Sequence, residues 1–189
     1  RIFLALSGFL VGYRFFLTGD KESLKSGAIK KYFRLVLPIA VASVFVYILM
    51  KLSLYRNAEA SVLAHSEVFS GNYNTFVPSL ADALKEAFIG CFITGANQYN
   101  GPVWFIFYEF FGSLMIAVTL LLIGNKKWRY YIYAVMAVVF IRSDFLSMIL
   151  GMVVCDLTYK GPKWLGKFTD KRWLMGLLLA AGIFLGSFP

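Results

Sequence analysis

Long apolar runs separated by short polar stretches dominate the chain. The first run, Ile2–Leu17 ("IFLALSGFLVGYRFFL"), is slightly short for a transmembrane helix at ~20 residues. Its Ser7, Gly8 and Gly12 are small residues of the kind that let helices approach closely. The second, Leu35–Ser53, opens at "RLVLP", where Pro38 falls in the first helical turn and disturbs little. Lys51 can reach the far interface from its end. Val103–Gly124 forms a third run, and Trp173–Phe188 the last. Between them, "YYIYAVMAVVF" and "FLSMILGMVVCDLTY" flank the polar "IRSD". One helix over Tyr130–Tyr159 would be ~45 Å long against ~30 Å of hydrocarbon, with Arg142 and Asp144 near its middle. Two short spans fit better, and their shortness calls for a thinned bilayer or burial within protein. The pattern therefore predicts an all-α, polytopic transmembrane helix bundle forming a single membrane domain over 1–189. It has about six spans, near 2–17, 35–53, 103–124, 130–141, 145–159 and 173–188.

The polar intervals assign sides. "TGDKESLKSGAIKKYFR" carries Lys21, Lys25, Lys30, Lys31 and Arg34 against Asp20 and Glu22; "NKKWR" and "KGPKWLGKFTDKR" are basic too. By the positive-inside rule these three belong to the cytoplasm. The outer loop 54–101 is acidic on balance, with Glu59, Glu67, Asp82 and Glu86 against Arg56 and Lys85, and is expected outside. Within it, "PSLADALKEAFIGCFI" puts Leu80, Ala83, Leu84, Ala87, Phe88 and Cys91 near one helical face and Asp82, Lys85 and Glu86 on the other. That predicts an amphipathic helix lying on the membrane or over the bundle.

Composition agrees with a bilayer as solvent. Of the 189 residues, 59% are hydrophobic and only 15% charged. Mean hydropathy is +0.69. A soluble domain of this size is neither so apolar nor so poor in charge. The net charge of +9 does not indicate nucleic acid, because the basic residues fall in short clusters between apolar runs and form no continuous face. Cys91 and Cys155 are expected on opposite sides of the membrane, so no disulfide framework is indicated. No metal site is read from the sequence. With no initiator Met or basic leader before Ile2, the chain reads as a fragment of a longer membrane protein rather than as one opening on a signal peptide.

Glu109 stands out because an ionised carboxylate in hydrocarbon costs about 2.5–3.5 kcal/mol on insertion scales. Phe105 at i−4 and Gly112 and Ser113 at i+3 and i+4 give its helix a stripe that can face a neighbouring helix or a wet cavity. Glu109 should point inward, either as a functional group or as the counter-ion of a cation such as Arg14 or Arg142. Trp104 and Tyr108 form an i,i+4 aromatic pair near the outer interface. Asn97, Gln98 and Asn100 supply amides just before Pro102.

Three segments in order, "FLALSGFLVGYRF", "KKYFRLVLP" and "NGPVWFIFYEFFG", resemble the membrane acyltransferase-3 family. Its members carry FFxxSGFL, a basic Arg-x-x-Arg loop running into R-L-x-P, and a G-P-x-W-x-x-x-x-E span. "FLSMILGMVVCDL" is similar to the family's later F-x-x-G-M segment. Here Lys31-Tyr32-Phe33-Arg34 stands for the Arg pair, and "RLVLP" is one residue longer than the family element. The resemblance implies an enzyme that moves an acyl group, usually acetyl, from cytoplasmic acyl-CoA to a hydroxyl of a carbohydrate or lipid-linked acceptor. The histidine proposed as the family's general base lies in a span preceding this chain, so the fragment is expected to be inactive alone, without the missing remainder of its own chain. His65 matches no family motif.

On that resemblance, Lys30, Lys31 and Arg34 are the candidate cations for the phosphates of coenzyme A, with Arg34 foremost because its guanidinium forks onto phosphate. Glu109 is a supporting catalytic residue, and Trp104, Tyr108 and Asn100 are candidate acceptor contacts. Acyl-CoA is a co-substrate and membrane lipids are the surroundings. The alternative is a fragment of a secondary transporter with Glu109 as an intramembrane proton or cation site.

Overall fold

The computed structural model describes residues 2–54 and 76–161, together with 56, 59, 62 and 63. The last expected span, most of the third basic loop and His65 lie outside the described residues. Within them the regular structure is helical: α1 (Ile2–Thr18), α2 (Lys21–Lys51), α3 (Leu80–Lys85), a π-helical turn Glu86–Gly90, α4 (Cys91–Ile93), a 3-10 turn Gly101–Val103, α5 (Trp104–Ile123), α6 (Arg129–Val139) and α7 (Phe145–Lys160). Lys21–Lys51 and Gly101–Ile123 are long and apolar enough to cross a bilayer, while α1 and α6 are shorter apolar helices. The six-span count is not established by these lengths.

The largest departure from the sequence reading is α2. The basic stretch expected as a loop is helix from Lys21 onward, joined to α1 through Gly19, whose φ of +75° is in the left-handed region, and Asp20. The Asp20 side chain accepts from the Glu22 N–H at 2.9 Å, capping the new helix before it reaches the apolar run. Pro38 thus sits inside α2 instead of in its first turn. Its ring removes the N–H that would have bonded the Arg34 carbonyl, a weak point that tertiary packing must offset. At 31 residues, α2 is ~46 Å long. Ile29, Phe33, Leu37, Val41 and Phe45 form an exposed stripe at i,i+4 spacing along it. Such a continuous apolar face is foreign to a soluble monomer and suits lipid.

Over 129–160 the chain forms two helices, α6 and α7, interrupted at the "IRSD" segment. α1 and α7 pack most closely. A methyl group added at Gly8 would collide with the Met148 carbonyl, and one added at Gly151 with the Ala5 carbonyl, so the two backbones are nearly in contact. Around them one apolar core gathers Leu4, Phe15, Ile116, Leu120, Met148 and Cys155. A second core joins Val36 and Ile39 of α2 to Ala87, Cys91 and Phe92 and to Ile106 of α5. Cys91 and Cys155 are free thiols, one in each core.

The amphipathic segment within 54–101 lies over the bundle, but its faces differ from the helical-wheel expectation. The face packed on the bundle is the i, i+3, i+4 set Ala83, Glu86 and Ala87, so Glu86 is buried while Leu80 and Phe88 are exposed. Glu86 is satisfied without a cation: its two carboxylate oxygens accept the N–H groups of Gln98 and Tyr99, at 2.9 and 3.0 Å. Tyr99 is tied further by its hydroxyl, which exchanges hydrogen bonds with the backbone of Ser79. The turn leading into Pro102 and α5 is thereby pinned.

Candidate active site

Along α5, Ile106 belongs to one core and Ile116 to the other, and Glu109 falls where the two meet. Here α1, α2 and α5 bring together three polar side chains: Ser7, Lys31 and Glu109, all buried. The Lys31 ammonium donates to Glu109 Oε1 at 2.7 Å and to Ser7 Oγ at 3.2 Å. Ser7 Oγ in turn donates to the same Oε1 at 2.7 Å. Glu109 Oε2 is buried with no hydrogen-bond partner among the described residues. Ser113, one turn on, donates to the Glu109 backbone carbonyl and not to its carboxylate.

Glu109 therefore points inward, as the small and polar stripe around it predicts. Its counter-ion is Lys31, not Arg14 or Arg142. Lys31, expected as a donor-binding cation, therefore lines the cavity with its charge already paired to Glu109. Because α2 is helical through the basic stretch, successive residues spread round its circumference: Lys31 turns into the bundle while Lys30 and Arg34 stay exposed.

A cavity of about 450 Å³ opens from this cluster between α1, α2 and α5. Its buried lining includes Ser7, Lys31 and Ser113; its exposed lining includes Arg14, Lys30 and Arg34. The arrangement is a basic mouth over a polar inner end. Arg14 and Ser7 were not singled out as site residues from sequence, yet both line the cavity. The available signal was their seven-residue spacing, two helical turns, which stacks them on one side of α1.

Trp104, Tyr108 and Asn100 are not among the cavity's lining residues. Trp104 is exposed and meets the Tyr108 ring edge-on at 6.0 Å, and Tyr108 packs on Phe145 at 5.1 Å. Asn100 closes the 3-10 turn by accepting the Val103 N–H through its carbonyl. Among the described residues no group of three or more His, Cys, Asp or Glu is arranged to hold a metal. A second buried ion pair, Arg129 with Asp156 at 2.6 Å, ties the start of α6 to α7. Neither residue lines the cavity.

Between three apolar helices, a buried hydroxyl, ammonium and carboxylate thus lie beside a cavity whose exposed side is basic. A family model for an acyltransferase domain, that of the acyltransferase-3 family, matches residues 1–189, and the chain belongs to this family. Membership supports acyl transfer as the activity and a membrane as its setting. No curated protein and no solved structure matches the chain.

Proposed function

We propose that this chain forms part of an integral, multi-pass membrane acyltransferase that takes an acyl group from cytoplasmic acyl-CoA and delivers it to a hydroxyl of a carbohydrate or lipid-linked acceptor. The observation that carries the proposal is the cavity, with Arg14, Lys30 and Arg34 at its exposed side and Ser7 and Lys31, both hydrogen-bonded to Glu109, at its inner end. A nucleoside diphosphate chain needs fixed cations at the membrane surface, and three lie together here. The thioester end is apolar and reactive, which suits the buried end. Arg14 lies in the last part of α1, and Lys30 and Arg34 lie in the basic N-terminal part of α2, the stretch that the positive-inside rule gives to the cytoplasm. Six spans and cytoplasmic basic segments belong to the same reading, with Trp104, Tyr108 and Asn100 facing the acceptor from the opposite side.

The test is donor binding. Loss of one charge-assisted phosphate contact is worth ~1.5–3 kcal/mol, or roughly 10- to 150-fold in affinity. Arg34→Ala should therefore raise the apparent Kd for coenzyme A by such a factor, and more than Lys30→Ala does. Equal donor affinity for Arg34→Ala and parent would reject the role of the cavity. Acyl-independent solute flux that disappears in Glu109→Gln would instead make the chain part of a transporter.

A further inference from the structure

We propose that Ser7 is the nucleophile that carries the acyl group from donor to acceptor, as an ester on its Oγ. The inference rests on the acyl-transfer reading above and adds a covalent step to it.

Hydroxyls in apolar helices ordinarily bond back to the carbonyl one turn earlier. Thr18, Ser113, Thr119 and Thr158 all do so here. Ser7 does not. Its Oγ donates across the bundle to a carboxylate oxygen at 2.7 Å, in the orientation a hydroxyl needs to lose its proton as it attacks. The Lys31 ammonium at 3.2 Å from Oγ stabilises negative charge there and is held in place by Glu109. Ser7 also lines the cavity whose exposed side is cationic, so a donor held there by its phosphates can send its thioester toward Oγ.

In the first step Oγ attacks the thioester carbonyl and its proton passes to the Glu109 carboxylate. The carbonyl re-forms, the C–S bond breaks, and the leaving thiolate takes that proton to depart as the thiol. In the second, the acceptor hydroxyl attacks the Ser7 ester and gives its proton to the same carboxylate, which lies at hydrogen-bond distance behind Oγ. The bond to Oγ breaks, and Oγ recovers a proton from the carboxyl group. Serine and carboxylate end as they began, and no outside redox partner is consumed.

The experiment incubates the full-length protein of which this chain forms part with radiolabelled acetyl-CoA in the absence of acceptor, quenches in acid and sequences the labelled peptide. The expected result is one acetyl group on Ser7. Ser7→Ala should lose the label and on the order of 10²-fold or more in transfer to the acceptors of native membranes. Ser7→Cys, of similar size, should hold the acetyl group as a hydroxylamine-sensitive thioester, which keeps the test decisive should Ser7→Ala fail to fold. A parent protein that transfers acetyl in native membranes with Ser7 unlabelled overturns the covalent step alone. A parent that transfers none overturns the acyl-transfer reading with it.

Discussion

Glu109→Gln and Lys31→Met, singly and together, probe the ion pair at the centre of the bundle. The two charged atoms are 2.7 Å apart, with side chains only 6% and 5% exposed. At an effective dielectric constant near 20 their attraction is ~6 kcal/mol, and the desolvation of two ions costs several kcal/mol each. The two quantities nearly cancel, so the pair as a whole adds little over an apolar replacement. Removing one partner is different, because the survivor stays buried and unpaired at ~3–5 kcal/mol. Each single variant should therefore melt ~6–20 °C below the parent, at the ~2–4 °C per kcal/mol usual for chains of this size. The double variant should recover most of that loss. Intrinsic fluorescence melts of the purified protein in detergent measure this, with acetyl transfer assayed in parallel. Molar salt should leave the differences unchanged, since a buried pair is poorly screened. In the double variant stability should return without activity, because Ser7 has lost the carboxylate that takes its proton and the ammonium beside it. Additive melting shifts, with the double variant as unstable as the sum of the singles, would refute the pairing. Full activity in the stable double variant would remove both residues from the chemistry.

At the α1–α7 contact, Gly8→Val and Gly151→Val should abolish accumulation of folded protein by forcing the backbones apart. Gly27→Ala, where an added Cβ meets nothing within 4 Å, should raise stability by ~0.5–1 kcal/mol in the same melting assay. Asp156→Asn strands the Arg129 guanidinium and should cost ~3–5 kcal/mol of stability while leaving coenzyme A affinity unchanged by titration, since neither residue lines the cavity. Burial, together with the Glu86 carboxylate, pushes the Cys91 thiol up to about 11. It should therefore stay protonated and resist maleimides at pH 7 in the folded protein, reacting only on denaturation.

Much of the fold was legible because a bilayer-like composition leaves few options: long apolar runs become helices to satisfy their own backbone groups. The all-helical class, the break at "IRSD", the helix over the outer loop and the inward aim of Glu109 all follow from local pattern. The misread segment was Lys21–Arg34. Charge there suggested a loop, whereas Asp20 caps a helix and no proline interrupts it before Pro38. The signal was present in the Gly19-Asp20 pair but was outweighed by the density of lysines. Glu86 departs from expectation for another reason: it shares the face of Ala83 and Ala87, and the Gln98 and Tyr99 N–H groups that let a carboxylate be buried there lie in a turn beyond its own helix.

The site divides along the same line. Sequence determined that Glu109 must find a polar partner, because a lone carboxylate cannot be left in an apolar medium. It could not say which partner. Lys31 stands 78 positions from Glu109 and 24 from Ser7, and several other cations were equally available by sign. Only the packing of α1, α2 and α5 chose among them, since a hydrogen bond requires ~3 Å approach and defined angles that no linear spacing across three helices encodes. The same packing left Arg14, Lys30 and Arg34 at the exposed side of the cavity and Lys31 at its buried side, a division set by how α2 is rotated against α1 and α5.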